Sequence, residues 1–133
     1  MPSGSPVVRS SFAAGPIANP GAAEVVVGTV DGIQSPVDDE LVRIVASGTT
    51  TVDAATTDVL ATIRRGGLTG HVVATLDVLS VTAATNTALE FTITGTDSPG
   101  DVDGETYVLT LTQTASAGAT QAAQVSMIAI VGP

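Results

Sequence analysis

The chain has 133 residues, with 13 carboxylates set against four arginines, no lysine and no cysteine, for a formal net charge of −9. That length suits one domain, and the charge excludes the basic surface on which nucleic-acid binding depends. Three aromatics (Phe12, Phe91 and Tyr107) offer few stacking platforms for bases or sugars, and the lack of Cys excludes disulfides, thiolate nucleophiles and Cys-based zinc sites.

Residues 1–23 hold four of the seven prolines, with many Gly, Ser and Ala and no regular apolar period. Proline fixes φ and removes a backbone donor, so an extended N-terminal arm is expected here. Val7, Val8, Phe12 and Ile17 are its candidate anchors, because a segment that orders on a partner does so by burying such side chains. A disordered tail is the alternative for the same residues. Pro2, Pro6, Pro16 and Pro20 interrupt any apolar stretch of signal-peptide length, and no run reaches the roughly 18 apolar residues of a membrane helix. Neither a leader nor membrane association is expected.

From Glu24 onward the chain reads as β. EVVVGTV (24–30) is β-branched and runs into Asp31-Gly32, a turn dipeptide. LVRIVA (41–46) follows the acidic cluster Asp38-Asp39-Glu40 and stops at Ser47-Gly48. TTTVDAATTDVLATI (49–63) has apolar residues at helix-like spacings, yet its six Thr favour strand and loop. Arg64-Arg65-Gly66-Gly67 makes a turn. HVVATLDVLSVTA (71–83), LEFTITGT (89–96), TYVLTLTQT (106–114) and QVSMIAIVG (124–132) then read as four successive strands. In the middle two, Leu89, Phe91 and Ile93 oppose Glu90, Thr92 and Thr94, and Tyr107, Leu109 and Leu111 oppose Thr106, Thr110 and Thr112. A period of two with one apolar face describes a sheet that is half buried and half wet.

The final strand departs from this. Val125, Met127, Ala129 and Val131 lie on one face and Ile128 and Ile130 on the other, so both faces call for cover. One face fits the opposite sheet of a sandwich. A second copy of the chain is the economical cover for the other, which makes Val125, Met127, Ile128 and Ile130 candidate subunit-interface residues; a central strand lying under a loop is the alternative. The expected fold is all-β: a jelly roll or another Greek-key β-sandwich over residues 24–133, preceded by the arm.

Little in the chain points to catalysis. His71 is the single imidazole, and without a GxSxG elbow or a matching motif it reads as an exposed or cross-strand residue. Asp97, Asp101, Asp103 and Glu105 in the loop DSPGDVDGE are a weak candidate for a Ca²⁺ site, since the DxDG fragment lacks the rest of an EF-hand. Acidic residues and Gly also fill ordinary turns. The Gly residues form no phosphate-binding pattern, and Arg64-Arg65 is a solvated turn too small to bind a polyanion. No enzyme activity, cofactor or resident metal is expected.

An arm rich in Pro and Gly (1–23), the strands HVVATLDVLSVTA and LEFTITGT, and the closing QVSMIAIVGP together resemble the decoration (cement) proteins of tailed bacteriophage heads. The bodies of those proteins are often jelly rolls of the tumour-necrosis-factor-like kind arranged as trimers. The resemblance is one of overall pattern and rests on no diagnostic motif. It implies a homotrimer made in the host cytoplasm, sitting on the outer surface of the virion and clamping neighbouring major capsid subunits. The alternative of the same general kind is the trimeric receptor- or ligand-binding head of a phage fibre or surface filament, working through loop 97–105; the collagen-like or coiled-coil stalk that should precede such a head is not found.

Overall fold

The computed structural model describes residues 7–19, 24–35, 41–52, 58–79, 87–99, 102–114 and 120–132. They form eight strands: β1 (Val7–Asn19), β2 (Val25–Ser35), β3 (Leu41–Val52), β4 (Asp58–Arg65), β5 (His71–Leu79), β6 (Thr87–Asp97), β7 (Val102–Thr114) and β8 (Thr120–Gly132). Val, Ile and Thr dominate these segments, and side chains branched at Cβ suit the pleated strand better than the helix. Two antiparallel sheets result, ordered β1-β8-β3-β6 and β2-β7-β4-β5. The first strand pairs with the last, the second with the seventh, the third with the sixth and the fourth with the fifth. One long antiparallel ribbon has been rolled so that successive pairs alternate between sheets. The chain is therefore an all-β sandwich with jelly-roll connectivity.

Residues 7–19, expected to belong to an arm outside the sandwich, are the first strand of one sheet. β1 is extended, as its composition suggested, but its partner is this chain's own β8, with Val7 opposite Val131 and Phe12 opposite Ser126. Its Pro16 falls where the register shifts between Ala14 and Ile17, at a sheet edge, where a missing N–H is tolerated. The Asp31-Gly32 turn is likewise a bulge. β2 continues through it to Ser35, with Gly32 at φ 73° and the register against β7 shifting between Val30 and Ile33. β3 does not stop at Ser47-Gly48 but runs on to Val52, because β6 and β8 pair with it on both sides. The ambiguous stretch 49–63 resolves as the end of β3 and as β4, with 53–57 outside the described residues.

The core lies between the sheets. Val42, Ile44 and Ala46 of β3, Phe91 and Ile93 of β6, and Met127, Ala129 and Val131 of β8 meet Val59, Ala61 and Ile63 of β4 and Tyr107, Leu109 and Leu111 of β7. With so few large side chains the layers must approach closely. At Gly95 a Cβ would stand 2.8 Å from Val73 Cγ1 and 3.1 Å from Ala74 Cβ, both on β5 of the other sheet. Gly95→Ala is therefore expected to prise β5 and β6 apart and destabilise the fold by about 1–3 kcal/mol, the usual range for overpacking. A thermal melt beside the parent chain checks this; an unchanged midpoint would mean that the two edges do not bear on each other.

Candidate interaction surface

Both sheets turn a second face to the outside, and the two outer faces differ. On the β2-β7-β4-β5 sheet, Thr62, Val108 and Thr110 point outward and are nonetheless buried. Against Thr110 lies an ion pair drawn from 40 residues apart in sequence. Arg64 donates from Nε to Glu24 Oε2 at 2.6 Å and from Nη2 to Oε1 at 2.9 Å, and its Nη1 donates to the Gly70 carbonyl at 2.9 Å. Thr110 Oγ1 donates to Glu24 Oε2 at 2.5 Å. The bidentate guanidinium, aided by Thr110, holds the Glu24 carboxyl below its ordinary value, and burial only partly opposes this.

Arg65 also turns to its own chain, its Nε lying 3.5 Å from Asp97 Oδ2. Tyr107, fully buried on β7, donates its hydroxyl to the same oxygen at 2.7 Å. Asp97 ends β6, so this cluster ties one sheet to the other at one end of the sandwich. Arg64 and Arg65 are thus strand residues engaged with this chain's carboxylates, not a solvated turn; the turn is 66–70, where Gly66 and Gly67 take positive φ.

The proposed cation loop is rearranged in the same way. Asp97 faces inward with the partners just named. Glu105 Oε1 accepts from the backbone N of Thr106 at 3.3 Å, Asp103 pairs with Gln34 on β2, and Asp101 lies outside the described residues. Among the described residues no three His, Asp or Glu side chains form a group able to hold a metal ion. His71 is exposed at the head of β5, opposite Arg65 in the register. Asp38-Asp39-Glu40 lies outside the described residues.

The outer face of the β1-β8-β3-β6 sheet is different in kind. β8 and β3 are its two central strands. Met127, Ala129 and Val131 point into the core, so Met127 belongs to this chain's interior and not to an interface. The alternate residues face out: Ile128 is 37% exposed and Ile130 half-buried. On β3 the outward row is Leu41 at 40%, the exposed Arg43, and Val45 at 37%. The register sets Val45 against Ile128 and Arg43 against Ile130. β1 continues the sheet, with Val8 opposite Ile130 and Ile17 opposite Ala122, and Val125 stands opposite Ala13 and Gly48. On β6, Glu90, Thr92, Thr94 and Thr96 give a wet border. Leu41, Arg43 and Val45 were not singled out from the sequence, since LVRIVA reads as an ordinary strand. Their alternation with the core residues Val42, Ile44 and Ala46 was the signal available.

No protein-family model matches the chain, and no curated protein matches it in sequence. Solved structures match in shape. One is from infectious bursal disease virus, Gx strain, with a TM-score of 0.61 and 19% identity over 98% of this chain and 33% of that one. Another is a mutant VP2 protein of the same virus in T=1 particles, with a TM-score of 0.62 and 16% identity over 96% of this chain and 32% of that one. Dimeric latent PorU from Porphyromonas gingivalis matches with a TM-score of 0.54 and 8% identity over 95% of this chain and 13% of that one. This chain spans about a third of the length of the viral chains. At such identities the likeness is one of fold, the β-sandwich that these proteins share.

Two outcomes follow from the polar clusters. Glu24→Gln is expected to lower stability by about 1 kcal/mol at pH 7, the scale of a partly exposed ion pair. Because the Glu24 carboxyl is depressed in the fold, its contribution is present above its ordinary value of 4.5 and fades as the pH falls below that. Urea unfolding should therefore separate parent and variant at pH 7 and bring them together in acid.

Tyr107 runs the other way: burial, then the Asp97 carboxylate, push its hydroxyl well above the ordinary 10.0. Its contribution is complete below pH 10 and is lost as rising pH ionises the unfolded chain first. With no Lys and no Cys, Tyr107 is the one side chain in the sequence whose ordinary titration falls there. Tyr107→Phe should cost about 1–3 kcal/mol at neutral pH, because the buried Asp97 carboxylate loses its hydrogen-bond donor and keeps only the longer contact with Arg65, and its stability should stay level between pH 9 and 11, where the parent's declines.

Proposed function

We propose that this chain is a structural, non-enzymatic protein of a virus particle, one that decorates and stabilises a bacteriophage capsid. It associates as a homotrimer on the outer surface and bridges neighbouring major capsid subunits. The observation that carries this reading lies on the central strands of the two sheets: on β7 and β4 the outward Thr62, Val108 and Thr110 are buried beside the chain's own Arg64–Glu24 pair, whereas β3 and β8 leave Leu41, Val45 and Ile128 open around Arg43. An apolar face on an otherwise acidic surface favours association between protein surfaces. The shape shared with VP2 in T=1 particles supports a particle role, and the cement-protein pattern supports the trimer. Since β1 is a strand of the sandwich, the contact with capsid subunits is made from the body of the molecule, not from a separate arm. Three weak contacts on one trimer gain strongly from effective concentration.

Light scattering on the whole chain is expected to give three times the 13.1 kDa chain mass. Ile128→Glu should give a folded monomer whose co-sedimentation with purified phage capsids falls by at least tenfold, as avidity is lost. A monomeric parent, or capsid binding untouched by the substitution, would sink the proposal.

A further inference from the structure

The large apolar side chains exposed among the described residues are Leu41, Val45, Leu68, Val72 and Ile128. They fall into two groups. Leu41, Val45 and Ile128 lie on the outer face of β3 and β8, with Arg43 set among them. Leu68 and Val72, 43% and 42% exposed, lie on the other sheet, at the turn 66–70 and the head of the edge strand β5. Val72 pairs with Arg64 and Asp77 with Leu60, both on the row that alternates with the core residues Ile63, Ala61 and Val59. Val72 therefore shares an outward face with the exposed carboxylate of Asp77, and Leu68 stands in the turn that leads into β5.

The charges decide how these groups can be used. An isologous contact would lay the first patch on its own copy about a two-fold axis. Arg43 sits inside that patch, flanked along β3 by Leu41 and Val45 and across it by Ile130, so such a contact would bring two guanidinium groups together at the moment of desolvation. Of the other three arginines, Arg64 and Arg65 are held by Glu24 and Asp97, and Arg9 lies on the edge strand β1, opposite Ala129. What suits the first patch is apolar surface with a carboxylate nearby, and the β5 edge has that composition.

Resting on the reading that copies of this chain associate, we infer that they do so heterologously. The Leu41–Val45–Ile128 face of one copy docks on the Leu68–Val72 edge of the next, with Arg43 meeting the neighbour's carboxylate at position 77. Such a contact is head-to-tail, and with three-fold rotation it closes into a ring.

The experiment blocks one side at a time. Val45→Glu disables the face and Val72→Glu the edge, each at an exposed strand position. Light scattering is expected to give a monomer for either variant alone and a one-to-one heterodimer for their mixture, which joins the one intact face to the one intact edge and can grow no further. Assembly of Val72→Glu like the parent would overturn the inference, as would a mixture that stays monomeric. Should either variant fail to fold by circular dichroism, Arg43→Glu and Asp77→Arg carry the same test: singly dissociated, and restored to the parental mass when combined in one chain. The parent's mass, measured alongside, reports on association itself. A monomeric parent sinks the broader proposal, whereas an assembled parent with an assembled Val72→Glu sinks the head-to-tail contact alone.

Discussion

Everything in this sandwich depends on the last strand being taken into the middle of a sheet. β8 is hydrogen-bonded to β1 on one side and to β3 on the other, over nearly its whole length. Its backbone groups are thereby satisfied, which allows the strand to be apolar on both faces without presenting an edge to other chains. Its inner face supplies Met127, Ala129 and Val131 to the core, and its outer face supplies Ile128 to the surface. The same placement makes the fold close late. Among the described residues β1 is hydrogen-bonded to no strand but β8, so the first strand is secured only when the last one arrives. Pairings this distant in sequence are slow to form, and this chain is expected among the slower-folding small domains.

The distribution of charge follows a similar economy. With 13 carboxylates and four arginines the chain has few cations, and Arg43, Arg64 and Arg65 are each set to a particular task. Arg64 pins Glu24 over Thr110 on the central strands of one sheet, and Arg65 supports the Asp97–Tyr107 hydrogen bond that joins the sheets. Arg43 is placed on the face where no carboxylate among the described residues forms an ion pair with it. A side chain of that kind marks its surroundings: it discourages self-contact and favours an acidic surface, which an acidic chain can itself provide.

The sequence was most readable where the period-two pattern is a direct imprint of burial. LEFTITGT and TYVLTLTQT place Phe91, Ile93, Tyr107, Leu109 and Leu111 inside by alternation alone, and the structure has them there. The two-faced character of Ile128 was visible for the same reason. What could not be read was decided by neighbours. β1 has a weak pattern of small residues and proline, and it is a strand because β8 offers an edge. Asp31-Gly32 has the composition of a turn, and it becomes a bulge because β7 extends far enough to pair with residues on both sides of it. Glu24 lies 40 residues from Arg64, and no local rule links them. The patch was half legible for this reason: Ile128 announces itself, whereas Arg43 and Val45 join it only once the register of β3 against β8 is known.

The pairing of β1 with β8 also fixes where the two ends of the sandwich emerge. Val7 lies beside Val131, so the first and last strands enter and leave at the same pole. A β-sandwich wired in this way can be carried on a single two-stranded stem. It can be set into the loop of a longer polypeptide, or receive a cargo at either terminus, with no strand displaced and both broad faces left clear.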